Sequence, residues 1–274
     1  MDISDAVQTF TALGHPGRLG VFRLLLRHAP HGVRPTEMAQ SMGLKPNTLS
    51  HHLADLEQAG LIRSERQGRS LFYSVDLVRT SAVLAYLAQD CGRGRPDLAL
   101  PFLSILEHDM AQPYNVLFIC SGNSARSIFA EAILNSVDGA RFKAWSAGTT
   151  PGSKLNPFAV EVLDRQGLDT SGLRAKHISE FEREGAPQMD FVFTVCDAAA
   201  SEDCAPWAGQ PISAHWGVAD PVKAMGNDAE KALAFARAFA ELHRRIIAFA
   251  ALPLDQLDRV ALQRSIDQIA QLQT

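Results

Sequence analysis

Cys120 and Arg126 form a Cys-x5-Arg pattern within the stretch NVLFICSGNSARSIFAEAI, which begins at Asn115. An apolar run ends at the cysteine, small polar residues follow, and a helical pattern begins at the arginine. Backbone N–H groups of residues 121–126 can converge there on one centre, at the positive end of a helix. Arg126 adds a fork of donors that suits a tetrahedral oxyanion. The same field should stabilise a thiolate, which predicts that the Cys120 pKa falls from about 8.5 into the range of about 3.5–7.5.

Further side chains suit chemistry on a bound oxyanion. The residues predicted to bind its oxygens are Ser121, Gly122, Asn123, Ser124, Ala125 and Arg126. Ser127 can donate a hydrogen bond to the Cys120 thiolate. A leaving oxygen needs a proton, and Asp220 in HWGVADP is the predicted general acid because it lies on a loop after a predicted strand.

Two more cysteines, Cys196 and Cys204, lie in the stretch TVCDAAASEDC. Cys196 ends a predicted strand, as Cys120 does. In a parallel sheet both thiols would emerge at the same edge, where such folds place their sites. Three thiols that can meet permit a disulfide relay by successive thiolate attacks.

The second half of the chain alternates between strand and helix patterns. NVLFI, FKAWSAG, residues 189–196 and a segment near PISAHW are predicted strands, and a long helix is predicted around residues 228–250. This alternation predicts an α/β domain with a doubly wound parallel sheet. After Leu254, helical spacing predicts an added helix that packs on the core or on a partner.

The first part of the chain has the features of a DNA-binding domain. Two helices joined at Gly43 are followed by short extended pieces around a QGR turn, and a last helix is predicted over roughly 77–90. Residues 10–75 contain eight Lys and Arg against four Asp and Glu, which favours an anionic partner. The predicted DNA contacts are Asn47, Thr48, Ser50, His51, Arg66 and Arg69. A helical adaptor domain with a solvated polar face is the alternative.

The predicted domains are residues 1–92, a linker at 93–113 with a short helical stretch, an α/β domain at 114–250 and a helical extension at 251–274. No segment reaches the roughly 20 apolar residues of a membrane span, and the N-terminus lacks a secretory signal pattern. Four cysteines are too few and scattered for a secreted disulfide scaffold. A cytoplasmic protein without a membrane partner is therefore expected.

LGHPGRLGVFRLLLRH and NTLSHHLADLEQAGLIRSERQGRSLFYSV resemble the ArsR-type family of winged-helix repressors. The resemblance covers about residues 5–90 and implies a homodimer on a palindromic double-stranded operator, released by metal or arsenite. Many members carry a cysteine cluster where this chain has TEMAQS. Cys91 is the cysteine available in this half, and it is the predicted arsenite-sensing residue; an idle residue at the joint is the alternative.

CSGNSARS, WSAGT, FTVCD and HWGVADP resemble the thioredoxin-coupled arsenate reductases, which share the low-molecular-weight tyrosine phosphatase fold. The resemblance implies that Cys120 attacks arsenate, Cys196 attacks Cys120, and Cys204 passes the oxidation to thioredoxin. Arg126 would hold the oxygens and Asp220 would protonate the departing one. It implies no tightly bound cofactor, although some relatives bind potassium. Asn123, Glu131 and Ser146 match part of that cation site.

Two other functions stay open from the sequence. A tyrosine phosphatase could use the same loop, but it has no need of Cys196 and Cys204, and VKAM follows Asp220-Pro221 where a phosphotyrosine cleft would have aromatic residues. A repressor whose second domain only senses oxyanions or redox state is the third possibility. The leading hypothesis is a fusion of an arsenic-responsive repressor and an arsenate reductase.

Overall fold

The computed structural model describes residues 1–92, 112–201, 207 and 211–272. The described residues belong to two compact units with separate cores, one within 1–92 and one within 112–272. The predicted linker at 93–113, with its short helical stretch, lies outside the described residues except for its last two positions. Cys204 also lies outside the described residues.

The first unit combines helices with a β-hairpin. Its elements are α1 (Ile3–Leu13), α2 (Pro16–His28), α3 (Pro35–Met42), α4 (Pro46–Gln58), β1 (Ile62–Gln67), β2 (Ser70–Val75) and α5 (Leu77–Ala85). Proline at the first position begins α2, α3 and α4, where its missing N–H costs no helical hydrogen bond. Gly43 ends α3 at φ 62°, a left-handed conformation that glycine adopts without strain.

The hairpin confirms the predicted wing. Strands β1 and β2 are antiparallel, with Ile62 opposite Val75 and Gln67 opposite Ser70. Gly68 forms the turn at φ 62°. The last predicted helix is shorter than expected: α5 ends at Ala85, and a π-helical turn over Tyr86–Cys91 follows.

The second unit is built on a parallel sheet. Its elements are β3 (Tyr114–Cys120), α6 (Arg126–Val137), β4 (Phe142–Gly148), α7 (Pro157–Arg165), β5 (Phe191–Thr194), α8 (Asp197–Ser201), β6 (Ile212–His215), α9 (Asp228–Ala250) and α10 (Arg259–Ala270). The strand order is β4-β3-β5-β6, and each neighbouring pair is parallel. The predicted α/β class is therefore confirmed. The predicted strand at 189–196 is shorter, because the chain leaves the sheet after Thr194 and turns into α8.

The C-terminal segment belongs to the core of the second unit. Ile266 of α10 is fully buried, and its carbonyl accepts a hydrogen bond from Trp216 Nε1 at 3.3 Å. The Trp216 ring stacks on Phe193 with 4.1 Å between centroids. The predicted extension thus packs on the core of its own chain. Among helices of the described residues, none is long and apolar enough to span a membrane.

Candidate active site

The loop 121–126 connects the end of β3 with the start of α6. Carbonyl groups of the loop and of Cys120 face outward, toward the segment that follows β4, and accept backbone hydrogen bonds from it. The four bonds run from Thr149 N–H to the Cys120 carbonyl, from Thr150 to Ser121, from Gly152 to Gly122 and from Asn156 to Ser124. In a trans peptide the N–H points opposite to the C=O. The amides that follow these carbonyls therefore face the inside of the loop, as a nest for an oxyanion requires.

Gly148 lets β4 approach this loop closely. A Cβ atom at this position would lie 2.6 Å from the Ser121 carbonyl oxygen and 2.9 Å from Asn123 Cβ. Any side chain here would push the loop away from β4. The strand pattern FKAWSAG places Gly148 at the end of a strand, but it gives no indication of this role.

Cys120 lies beneath the loop and is only 2% exposed. Its Sγ is 2.9 Å from Ser127 Oγ, and it accepts a hydrogen bond from the Asn123 backbone N–H at 3.2 Å. The predicted contact with Ser127 is therefore present.

The predicted fall of the Cys120 pKa is wrong. Burial is the largest cause and raises the pKa of this thiol above its ordinary value, and the nearby Cys196 also raises it. Hydrogen bonds from Ser127 and the charge of Arg126 act in the opposite direction and offset only part of the shift. The groups at the start of α6 that stabilise a thiolate are present, but desolvation outweighs them.

Asn123 connects the loop to the rest of the unit. It is fully buried and has φ 42°, a left-handed conformation that asparagine tolerates better than most residues. Its Nδ2 donates to Ser127 Oγ at 2.9 Å and to Ser146 Oγ at 2.8 Å, and its Oδ1 accepts from the Lys176 backbone N–H at 2.6 Å. These contacts hold the residue whose amide supports Cys120.

A buried ion pair lies behind Asn123. Lys176 Nζ is 2.9 Å and 3.1 Å from the two carboxylate oxygens of Glu131, and Ser146 Oγ donates to the same carboxylate. From the sequence, Glu131 and Ser146 are only partial matches to a cation site, and Lys176 is not indicated at all. No local pattern marks this lysine, because it reaches its partner from 45 residues away.

The structure brings Arg126 and Asp220 together. Arg126 Nη2 is 2.9 Å from Asp220 Oδ2, and its Nη1 donates to the Val218 carbonyl at 3.0 Å. The other Asp220 oxygen accepts from the Val222 N–H at 3.2 Å, which fixes the carboxylate at the start of a short 3₁₀ turn. The predicted acid thus lies at the predicted oxyanion-binding arginine.

Cys196 lies at the rim of the same loop. Its Sγ is 3.5 Å from Ser121 Oγ and accepts a hydrogen bond from the Ala199 N–H at 3.4 Å. A cavity of about 450 Å³ opens beside it. Its lining includes Ser121, Arg126, Cys196, Asp197, Asp220 and Lys223. The adjacent parallel strands β3 and β5 therefore bring both predicted redox thiols to one edge of the sheet, as expected.

A histidine that sequence reasoning missed supports the segment after Cys196. His215 is buried, and its Nε2 is 2.9 Å from Asp197 Oδ1 while its Nδ1 is 2.9 Å from Thr194 Oγ1. Gly217 leaves room for this contact, since a Cβ there would lie 2.6 Å from His215 Nε2. The motif HWG was visible in the sequence, but its contact with Asp197 depends on the pairing of β5 with β6.

In the first unit, the predicted DNA-contacting side chains lie on the surface. Asn47, Thr48, Ser50 and His51 on α4 are exposed, as are Arg66 and Arg69 on the hairpin. Ser50 Oγ donates to the Pro46 carbonyl at 2.9 Å, so this hydroxyl is engaged within its own helix. Leu49, Leu53 and Leu56 on the opposite face of α4 are buried.

Cys91 is exposed in the π-helical turn that follows α5. Within the described ranges, no group of three or more His, Cys, Asp and Glu side chains is arranged to hold a metal ion. Residues 1–92 contain Cys91 as their one cysteine, and trivalent arsenic prefers two or three thiolate ligands.

Comparison with known proteins supplies the family. Residues 115–262 match the model of the low molecular weight phosphotyrosine protein phosphatases, and residues 13–65 match a helix-turn-helix domain. The arsenate reductase of Halalkalibacterium halodurans is 35% identical over 135 residues, which are 49% of this chain and 94% of that protein. The arsenate reductase of Bacillus subtilis is 34% identical over the same shares. A solved arsenate reductase from Archaeoglobus fulgidus aligns over 48% of this chain and 94% of its own, at 25% identity and a TM-score of 0.39.

The family model matches more than half of the chain, and the chain covers nearly the whole length of the arsenate reductase relatives. Both findings agree with the loop geometry described above. The chain belongs to the low molecular weight phosphotyrosine protein phosphatase family and carries a helix-turn-helix domain in front of the family domain.

Proposed function

We propose that the second unit reduces arsenate to arsenite and that the first unit is a DNA-binding repressor that responds to arsenic. The contact of Cys196 with Ser121 carries the proposal for the enzyme. A phosphatase needs one thiol in the loop, whereas a reductase needs two thiols to supply two electrons. The relatives named arsenate reductase, which match over 94% of their length, support the same substrate.

In the first step, arsenate binds to the inward amides of residues 121–126 and to the guanidinium of Arg126. The Cys120 thiolate attacks arsenic and forms a sulfur–arsenic bond. One oxygen leaves as water after it receives a proton from Asp220, which lies 2.9 Å from Arg126. Because burial raises the pKa of Cys120, the thiolate depends on Ser127 and on the Asn123 amide for stabilisation.

In the second step, the Cys196 thiolate attacks Cys120 Sγ. The sulfur–arsenic bond breaks, its electron pair stays on arsenic, and As(V) leaves as As(III) in arsenite. Cys204 then attacks Cys196 and frees the Cys120 thiolate, which leaves a Cys196–Cys204 disulfide. A dithiol reductant of the thioredoxin class reduces this disulfide and completes the cycle.

The test is arsenate-dependent oxidation of NADPH with thioredoxin and thioredoxin reductase. Cys120→Ser, Cys196→Ser and Cys204→Ser should each abolish it. Full turnover by Cys204→Ser with thioredoxin as the sole reductant would contradict the relay of three thiols. One relative is named the glutaredoxin arsenate reductase of Synechocystis, so glutaredoxin with glutathione is the second reductant to assay.

The family name makes phosphatase activity the competing function. Hydrolysis of an aryl phosphate needs Cys120, Arg126 and Asp220 but not Cys196. Vigorous hydrolysis that survives Cys196→Ser, together with no arsenate reduction, would favour the phosphatase.

For the first unit, exposed polar residues on α4 and two arginines on the hairpin support binding to double-stranded DNA. Exposed apolar side chains on α1 and α5, such as Ile3, Val7, Val78 and Leu84, support a homodimer. In a dimer, two Cys91 thiols would be available for arsenite.

Light scattering should give the mass of two chains. A gel shift on the DNA upstream of the protein's own coding sequence should be lost on adding arsenite. No shift by the wild type would count against the repressor, and unchanged release in Cys91→Ser would exclude Cys91.

A further inference from the structure

The ion pair between Lys176 and Glu131 is the most buried pair of opposite charges near the loop. The two side chains are 6% and 9% exposed, and the ammonium contacts both carboxylate oxygens. Burying two charges costs several kcal/mol per ion unless the geometry and additional hydrogen bonds compensate. Here Ser146 provides an additional hydrogen bond to the carboxylate.

This pair is connected to the nucleophile by two short routes. Through Glu131, the ammonium holds Ser146, which accepts a hydrogen bond from Asn123 Nδ2 at 2.8 Å. Through its own backbone N–H, Lys176 donates to Asn123 Oδ1 at 2.6 Å. Both ends of the Asn123 amide are thus set by Lys176, and the Asn123 backbone N–H donates to Cys120 Sγ.

The oxygens that match a potassium site in some arsenate reductases do not fit a metal ion here. The Glu131 carboxylate is occupied by Lys176 Nζ and by the Ser146 hydroxyl, and Asn123 Oδ1 is occupied by the Lys176 N–H. A second cation would also lie beside an ammonium group, and like charges at this distance repel strongly when buried.

We propose that the Lys176 ammonium is the built-in cation of this loop: it holds Asn123 in the conformation that supports Cys120, and the unit therefore has no use for potassium. Lys176 is a positioning residue, because it acts on Cys120 through Asn123. The proposal rests on the proposed function only in taking Cys120 as the reactive thiol.

The experiment measures two properties of the reduced full-length protein in KCl, NaCl and choline chloride at equal ionic strength. The first is the rate of Cys120 alkylation by iodoacetamide across a pH series, followed by peptide mass spectrometry so that each of the four thiols is counted separately. The second is the melting temperature. Neither depends on turnover of arsenate, so failure of the reductase proposal would leave both results interpretable.

The wild type should give the same alkylation profile and melting temperature in all three salts. Lys176→Met should alkylate Cys120 about tenfold more slowly near neutral pH, as the loss of about 1.4 kcal/mol of thiolate stabilisation implies. Potassium should restore much of that rate in Lys176→Met, because the freed Glu131 carboxylate can then accept a metal ion. Lys154→Met, which removes an exposed lysine, is the matched control and should behave as the wild type.

A double variant, Glu131→Gln with Lys176→Met, removes both charges and keeps the protein measurable if Lys176→Met alone does not fold. It should alkylate slowly and should not respond to potassium. Potassium-specific stabilisation of the wild type would overturn the proposal. So would a lowered melting temperature with an unchanged Cys120 profile in either variant, because that result means that the pair is structural only.

Discussion

At the scale of single residues, the reactivity of Cys120 depends on opposing contributions to its pKa from burial and from hydrogen bonds and charge. Burial of the thiol disfavours the charged form, whereas Ser127, the Asn123 amide and Arg126 favour it. Burial is the largest of these contributions, and the pKa of Cys120 is raised. Each hydrogen bond to the sulfur therefore has a measurable effect.

Ser127→Ala removes the hydroxyl that lies 2.9 Å from Cys120 Sγ. Because this hydrogen bond lowers the Cys120 pKa, its loss should move the pKa further upward, so that alkylation of Cys120 requires higher pH. A hydrogen bond to a charged group contributes about 1.5–3 kcal/mol, so arsenate reduction near neutral pH should fall by about tenfold or more. Ser136→Ala on the same helix, whose hydroxyl bonds only to the Ile133 carbonyl among the contacts described, is the control. An alkylation profile identical to that of the wild type would contradict this role of Ser127.

Asp220→Asn keeps the size of the side chain but removes its transferable proton. Loss of a general acid lowers a rate by about 10²–10⁴-fold, so kcat for arsenate should fall by that order while KM changes less. Steady-state kinetics would show this. Asp228→Asn, at the exposed first turn of α9, changes the same charge away from the cavity and should leave kcat unaltered. A normal kcat in Asp220→Asn would mean that another group protonates the leaving oxygen.

At the scale of elements, the hairpin and α10 illustrate two ways in which a helix or strand contributes to function. The hairpin presents charge to a partner, with Arg66 and Arg69 exposed at its tip. Helix α10 instead completes a core, because Ile266 is buried and its carbonyl accepts a hydrogen bond from Trp216 Nε1.

Ile266→Ala should lower the free energy of unfolding of the second unit by about 2–5 kcal/mol, since truncation leaves a cavity in a packed core. Val260→Ala on the same helix is the matched control, because Val260 is 61% exposed and surface changes usually stay within about 0.5 kcal/mol. Urea denaturation followed by tryptophan fluorescence would measure both. Equal effects of the two substitutions would mean that α10 contributes little to the core.

Arg66→Ala and Arg69→Ala should weaken operator binding and reduce its salt dependence. Each lost phosphate contact lowers the slope of log K against log salt by about 0.9. Fluorescence anisotropy over a salt series measures both quantities. Arg237→Ala removes an exposed arginine from the second unit and should leave affinity and slope unchanged. A slope that stays the same in the hairpin variants would place these arginines away from the phosphates.

At the scale of the whole molecule, an enzyme that makes arsenite is joined to a domain proposed to respond to it. The two units have separate cores. Under the proposed function, the product of the second unit is the signal to which the first responds. Arsenate should then release operator DNA only when the reductase can work.

This coupling can be measured by a gel shift in the presence of the thioredoxin system. Arsenate should release DNA from the wild type but not from Cys120→Ser, whereas arsenite should release both. Release by arsenite is the control, because it shows that the first unit of Cys120→Ser still responds to arsenite. Release of Cys120→Ser by arsenate would mean that the oxyanion itself, rather than its reduction, is the signal.

The sequence by itself determined the features that depend on local pattern. Alternating strands and helices predicted the parallel sheet, and the Cys-x5-Arg spacing predicted the loop between β3 and α6. The order of Cys120 and Cys196 at strand ends predicted their meeting, because parallel strands end at one edge. Helix-turn-helix spacing and the QGR turn predicted the first unit, whose exposed α4 residues agree with that prediction.

The tertiary structure alone decided which distant residues control the site. Lys176 reaches Glu131 across 45 positions, and His215 reaches Asp197 across 18, so no local period reveals either contact. The direction of the Cys120 pKa was also beyond the sequence, because desolvation depends on every element that packs over the thiol. Spacing shows which groups can react, but burial, which is a property of the assembled core, sets the energy of their charges.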